Sequence, residues 1–278
     1  MIERDKEFTF GKDDFKKMQD IVYQRTGIVL KDHKMNMVYS RLARRLRALK
    51  LQTFKDYLAF LESLEGKEEI NNLINAITTN LTKFFREGHH FEHLRDVALK
   101  EAYDGYRNGK QNRIRVWSSA CSSGEEAYSI AMSLSEAIPN VKNVDAKILA
   151  TDLDTNMLTT GKNGIYKSNA KENIPSAMFK KYATSQRDGS VYMEQRIKDL
   201  ISFKQLNLLD EWPFKGPFDA IFCRNVMIYF DNPTKAKLIR KLSDKLKPGG
   251  YLYIGHSESI LTQNLPFKLE GRTIYRKI

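Results

Sequence analysis

Cysteine is nearly absent from this chain: Cys121 and Cys223 are the only two in 278 residues. They form no metal-binding spacing, and both are expected as reduced thiols packed like small hydrophobes. No apolar run approaches the roughly 20 residues of a membrane span. The N-terminus, MIERDKEFTF, is charged rather than signal-like, which predicts a cytoplasmic protein with no membrane insertion. No metal is expected either: His89, His90 and His93 cluster, yet no carboxylate or cysteine completes a convincing ligand set beside them. Acidic residues are in deficit, 34 Asp and Glu against 46 Lys and Arg, and the net charge of +12 implies an acidic partner. Nucleic acid, an anionic membrane surface and an acidic protein all meet that description.

A glycine-rich phosphate loop is missing as well. Arg113 to Met132 reads RIRVWSSACSSGEEAYSIAM, in which Ile114, Val116 and Trp117 predict a buried strand and Glu125 opens a helical pattern. The turn between them carries only Gly124 and fails the G-x-G-x-x-G fingerprint, so an ordinary βα turn is the plainer reading. Even so, strand, small-residue turn and helix start form the place where open α/β folds receive nucleotide-like ligands. The next apolar run, Ala146 to Ala150, leads into Thr151-Asp152-Leu153-Asp154. An acidic residue at the second strand tip, about 20–30 residues past the turn, is where such folds grip ribose hydroxyls. Its carboxylate accepts from a vicinal diol and repels phosphate. The alternative for Asp152 is a helix cap, a role that suits Asp154 better.

Around this centre the chain falls into parts. Phe15 to Thr26 predicts an amphipathic helix ended by Gly27, and a second helix spans about His33 to Lys50. In the latter, Met35, Val38, Leu42, Leu46 and Leu49 share one stripe, while Arg41, Arg44 and Arg47 lie opposite with Arg45 near the border. That basic face is either simply solvated or a docking surface for something acidic. Phe54 to Ser63, with Thr53 as cap, and Glu68 to Asn80 complete an all-helical N-terminal domain over residues 1–75. An interdomain segment, 76–90, contains TTNLTKFFR, whose polar groups cap a helix or bind a ligand. A helix over Phe91 to Tyr106 opens the second domain, residues 91–278. Residues 165–204 break the α/β alternation and predict an inserted antiparallel subdomain with a turn at Asp188-Gly189. Strands are expected at Ile201 to Leu206, Ala220 to Cys223 and Tyr251 to Gly255. The helix Thr234 to Leu246 is stopped by Lys247-Pro248-Gly249-Gly250, and a hairpin closes the chain over Phe267 to Ile278.

The acidic strand tip, the strand ending near Asn225 and the helix ending L-K-P-G-G resemble the S-adenosylmethionine (SAM)-dependent methyltransferase fold. The strings TTNLTKFFRE, SSGEEAYSIA, ATDLDT, FDAIFCRNVMIYF and GHSES are similar to the CheR family, the chemotaxis-receptor glutamate O-methyltransferases. The resemblance covers nearly the whole chain. It implies an α/β fold, a Rossmann-like methyltransferase sheet with a small antiparallel β-subdomain insertion, preceded by an all-α domain. It also implies SAM as cofactor, S-adenosylhomocysteine as product, and the acidic cytoplasmic helices of methyl-accepting chemotaxis proteins as partners of a monomer. Residue by residue, Asn80, Thr82 and Arg86 would contact the cofactor, Glu125 would lie in the motif turn, and Asp152 would bind ribose. Asn207 and Leu208 would flank the adenine, and Arg224 and Asn225 would line the pocket floor. Arg86 and Tyr229 would sit near the methyl group and the incoming carboxylate, and Arg41, Arg44 and Arg47 would dock on the receptor. The hairpin around Gln186 to Val191 looks shorter than in members whose subdomain grips a receptor tail peptide, so such tethering is not expected.

Two rival readings compete. A nucleic-acid methyltransferase accounts for the charge, but Asn225-Val226-Met227-Ile228-Tyr229 lacks the prolines of the N-P-P-Y loop that accepts a base amino group. A non-catalytic cofactor-binding scaffold would bind SAM and transfer nothing.

Overall fold

The computed structural model describes residues 7–260 and 265–278. Residues 1–6, on which the charged N-terminus and the start of the helical domain partly rest, lie outside the described residues. Contacts divide the chain into two units, Met1–Thr79 with Tyr229–Asp231, and Asn80–Ile228 with Asn232–Ile278.

The first unit is built from α1 (Lys12–Thr26), α2 (Met35–Leu49), α3 (Phe54–Glu62) and α4 (Glu69–Ile77). Its boundaries follow local chemistry. Gly11 N–H donates to the Asp14 carboxylate at 2.9 Å to start α1, and Gly27 ends it in the left-handed region at φ 68°. Thr53 caps α3 as expected, its hydroxyl accepting from Asp56 N–H at 3.1 Å. On α2, Val38, Leu42 and Leu46 are buried against Phe15, Met18, Val22, Phe54 and Tyr57, with Met35 and Leu49 at the core's edge. Helix α4 stops at Ile77 rather than reaching Asn80. The reason is Arg41: its guanidinium donates to the carbonyls of Ala76 (3.1 Å) and Thr78 (2.6 Å), satisfying the helix end from α2 instead of by another turn. The Tyr229–Asp231 segment joins this unit through Val29 N–H donating to the Tyr229 carbonyl (2.9 Å) and Tyr23 Oη donating to the Asp231 carboxylate (2.7 Å).

The second unit opens with α5 (His89–His93), which continues through a π turn over Leu94–Ala98 into α6 (Leu99–Arg107). There follow β1 (Ile114–Ser118), α7 (Glu125–Ala137), β2 (Ala146–Asp152) and α8 (Thr155–Asn163). Next come β3 (Ile165–Tyr166), α9 (Ser176–Tyr182), β4 (Ala183–Ser185), β5 (Val191–Met193) and α10 (Gln195–Lys198). The chain ends with β6 (Ile201–Gln205), β7 (Phe218–Cys223), α11 (Asn232–Lys245), β8 (Leu246–Ile254), β9 (Phe267–Gly271) and β10 (Ile274–Lys277).

Among the described residues seven strands form one sheet in the order β6-β2-β1-β7-β8-β10-β9. The first five run parallel, and β10 and β9 close the edge as the antiparallel hairpin expected at the C-terminus. From β1 the chain builds outward through β2 to β6, then crosses back to β7. The order therefore reverses between β1 and β7, and open sheets bind ligands beyond the strand ends at such a reversal.

Strands β3, β5 and β4 form the separate antiparallel sheet foreseen for the insertion. Its boundary falls earlier than residue 204, because Ile201–Gln205 pairs in parallel with Ile148–Asp152 in the main sheet. Only Phe203 of β6 is buried, so its sequence alternates like an antiparallel edge. The K-P-G-G run also differs from expectation: it lies within β8. Pairing jumps from Phe218–Leu246 to Ala220–Tyr251, so residues 247–250 bulge opposite Asp219, as a proline without an N–H and Gly249 at φ 74° require.

Candidate active site

The turn after β1 is tightly held despite its single glycine. Ser119 N–H donates to the Phe222 carbonyl (2.8 Å) and Cys121 N–H to the Thr151 carbonyl (2.9 Å), tying the turn to β7 and β2. Ser122 adopts φ 49° and its N–H donates to Asp152 Oδ2 at 2.7 Å. Gly124, at φ 97°, is required: a Cβ there would lie 2.9 Å from Gly161 Cα and 3.0 Å from the Tyr166 hydroxyl.

Asp152 also accepts from Asp154 N–H, through Oδ1 at 2.9 Å. Burial pushes its carboxyl up to about 6, against the opposing pull of those backbone N–H groups. The capping role goes to Asp154, which accepts from Asn156 and Met157 N–H at the start of α8, as the sequence favoured. Glu125, the first residue of α7, is likewise raised by burial, while its hydrogen bond from Ser123 (2.6 Å) opposes the shift.

Of the TTNLTKFFR residues, Asn80 reaches both tips: its side-chain amide donates to Asp154 (2.8 Å) and its carbonyl accepts from Ser122 Oγ (3.2 Å). Thr82 is partly exposed. Arg86 sits between two left-handed non-glycine residues, Phe85 at φ 50° and Glu87 at φ 59°. Such a backbone persists only where its surroundings hold it. Here Phe84 packs edge-on to Tyr166 at 4.9 Å, Phe85 N–H donates to Ser129 Oγ (2.9 Å), and Arg86 itself donates to the Leu81 carbonyl (2.8 Å).

Arg224, expected to line the pocket floor, is buried. Its buried guanidinium meets Glu126 at 2.9 Å, Glu87 at 3.3 Å and the Arg86 carbonyl, and lies over the Phe91 ring. It anchors the Arg86 segment and β7 from within, because a buried cation without carboxylates would be untenable. Burial disfavours the Glu87 anion, but the His256 hydrogen bond and the Arg224 charge outweigh it and lower its pKa to about 2. Glu126 is raised by complete burial, an effect that Arg224 and Ser118 only partly offset. Asn225 follows at φ 57°. At the tip of β6, Asn207 is partly exposed and Leu208 buried, and Lys241 secures their loop by donating to the carbonyls of Leu208 (3.1 Å) and Asp210 (2.6 Å) over the Trp212 ring.

Asn80, Glu125, Asp152, Asn207, Leu208, Arg224 and Asn225 thus all belong to the α/β unit, the last six at or beyond the ends of β6, β2, β1 and β7. Tyr229 belongs by its contacts to the helical unit, as do Arg41, Arg44 and Arg47. Sequence reasoning missed Glu87, Glu126 and Lys241, whose partners are distant along the chain. The three histidines are structural: His89 and His90 meet the Arg272 carbonyl (3.1 and 3.2 Å), and His93 Nδ1 meets the Tyr253 hydroxyl (2.9 Å). Among the described residues no group of three or more His, Cys, Asp and Glu is placed to hold a metal ion. Cys121 and Cys223 are free, buried thiols, both pushed up by burial.

Acceptors therefore dominate the strand tips, and the turn from Ser119 to Gly124 contains no lysine or arginine. That acceptor set fits a ligand bearing ribose hydroxyls and no phosphate. Together with the parallel sheet and its hairpin edge, it defines the SAM-dependent methyltransferase class. Comparison with known proteins narrows the class. Residues 80–276 match the CheR methyltransferase SAM-binding domain and residues 13–78 the CheR methyltransferase all-alpha domain. The chain is 44% identical to a probable chemotaxis protein methyltransferase of Rhizobium etli, covering 86% of this chain and 90% of the relative. It is 43% identical to the chemotaxis protein methyltransferase of Escherichia coli (94% and 89%) and 38% to chemotaxis protein methyltransferase 2 of Pseudomonas aeruginosa (97% and 94%). The chain belongs to the CheR methyltransferase family.

Proposed function

We propose that this protein methylates glutamate side chains on the acidic cytoplasmic helices of bacterial chemoreceptors, forming methyl esters, as a cytoplasmic monomer. The observation that carries the reading is Asp152, a desolvated carboxylate at the β2 tip beside a turn without cations. Bound SAM supplies a methyl group already activated by its sulfonium charge. The receptor glutamate, with a pKa near 4.3, is an anion at neutral pH and needs no general base. This agrees with histidines committed to structural hydrogen bonds. The protein's own work is to position the reactants and exclude water, since two charges disappear in the reaction.

In this reading Asp152 holds the ribose, Glu125, Asn80 and Thr82 line the cofactor, and Asn207 and Leu208 flank the adenine. Arg224 acts through the Arg86 segment and Asn225 forms the pocket floor. Arg86 orients the incoming carboxylate by a positioning contact, and Tyr229 donates a hydrogen bond to one of its oxygens. Of the docking residues, Arg44 is exposed and makes no hydrogen bond or ion pair among the described residues, whereas Arg47 is held by Glu7 (2.7 Å) and Arg41 by α4. Arg45 is engaged with the buried Glu69 (2.6 Å), so the basic face is narrower than the sequence implies. No helix among the described residues is long and apolar enough to cross a membrane.

The test is alkaline lability. Membranes containing chemoreceptors are incubated with the protein and methyl-labelled SAM, then treated with mild alkali. Volatile labelled methanol from the receptor band is expected; alkali-stable label on RNA would replace this reading with the nucleic-acid one.

A further inference from the structure

Of the G-H-S-E-S run at 255–259, only His256, bonded to Glu87, enters the site as described. Glu258 is only 8% exposed, and its carboxylate makes no ion pair among the described residues. Backbone donors fill it instead. Oε2 accepts from Asn225 N–H (2.9 Å) and Gly255 N–H (2.7 Å), and Oε1 accepts from Ile228 N–H (3.3 Å). The segment after β8 thereby holds both ends of the loop after β7. Asn225 occupies the left-handed region at φ 57°, which a non-glycine residue keeps only under restraint. Gly255 permits the approach: a Cβ there would stand 2.4 Å from Asn225 Nδ2, 2.9 Å from Asn225 N and 2.9 Å from Glu258 Oε2.

We propose that Glu258 is a positioning residue for methyl transfer, its carboxylate fixing the 225–228 loop that leads to Tyr229. The proposal rests on the methyltransferase reading of that loop. Three N–H donors converge on the carboxylate from two directions. Only a group with two acceptor oxygens serves them all, and an ionised acceptor makes the stronger bonds.

The experiment compares full-length wild type, Glu258→Gln and Glu258→Ala by amide hydrogen exchange and by steady-state kinetics on receptor. Glutamine keeps one acceptor oxygen, so it retains the Asn225 and Gly255 bonds and frees Ile228 alone; alanine frees all three. The expected result is exchange roughly tenfold faster at Ile228 only in Glu258→Gln, and at all three amides in Glu258→Ala. In Glu258→Ala kcat falls roughly 10²-fold, as for a displaced active-site loop, with KM for receptor changed less than about threefold. Glu258→Gln falls between the two, and it carries the test alone if the alanine variant does not fold. Unchanged exchange at Asn225 and Ile228, or a kcat within about threefold of wild type, overturns the role of Glu258. A wild type that forms no alkali-labile ester refutes the underlying function on separate grounds.

Discussion

Replacing Arg224 with methionine removes the cation from the most deeply buried charge cluster among the described residues. Its side chain is 2% exposed, and it is the ion-pair partner of Glu126 and a partner of Glu87. Removing one member of a buried pair strands the other, which costs about 3–5 kcal/mol. The lost contacts over Phe91 and Phe222 act in the same direction. A loss of about 4 kcal/mol weakens folding by roughly 10³-fold and lowers Tm by roughly 10 °C for a unit of this size. The sign of its pH dependence follows from Glu126. A carboxyl whose folded pKa is raised costs stability while it is charged, and that cost fades as pH falls through the folded value. The Arg224→Met deficit is therefore largest near neutral pH and shrinks on acidification. Urea denaturation at a series of pH values, paired with Glu126→Gln and the double variant, measures both the deficit and the coupling. A deficit under about 1 kcal/mol, a deficit that grows on acidification, or additive single variants would refute the argument.

Asp152 gives a second pH signature of opposite sense. Its folded value of about 6 lies above the ordinary 3.8, so in the proposed role ribose hydroxyls would meet a charged acceptor only above about pH 6. Affinity for S-adenosylhomocysteine should fall up to about tenfold per pH unit below 6, read by calorimetry; a flat profile from pH 7 to 5 contradicts the assignment. Arg86→Ala and Tyr229→Phe are expected to slow methyl transfer roughly 10- to 10²-fold while changing cofactor affinity less than about threefold. Equal losses in rapid-quench and binding measurements would move both residues to cofactor binding. Arg44→Glu should lower kcat/KM for receptor several-fold and flatten its salt dependence, leaving S-adenosylhomocysteine affinity unchanged. An unaltered salt profile argues against that face.

What the sequence made legible is what local chemistry determines. The apolar run of β2 ends at Asp152, and Asp154 stands where a helix needs its cap, so the tip can be located from adjacent residues. Thr53 before α3 and the stripe on α2 are of the same kind. Charges whose partners are remote were invisible: Arg224 meets Glu126 across 98 positions, and Arg45 meets Glu69 across 24. Arg41 and Arg45 read as surface charge because nothing nearby in the chain announces a helix end or a buried carboxylate. The strand at Ile201 was expected in the main sheet and lies there, but mixed signals blurred where the insertion ends before it. Strand β6 buries one residue, and β8 absorbs a proline and two glycines as a bulge where a loop was expected.

The central claim is that the acceptor is a receptor carboxylate, and peptide mass spectrometry tests it most directly. Chemoreceptor cytoplasmic fragments are incubated with the protein and methyl-deuterated SAM, digested under mildly acidic conditions, and fragmented to locate the label. The account predicts deuterated methyl groups on glutamate side chains of the acidic helices, removed by alkali and absent without SAM. Label confined to lysine, arginine or the peptide terminus, or an unmodified receptor alongside an active control methyltransferase, would contradict it.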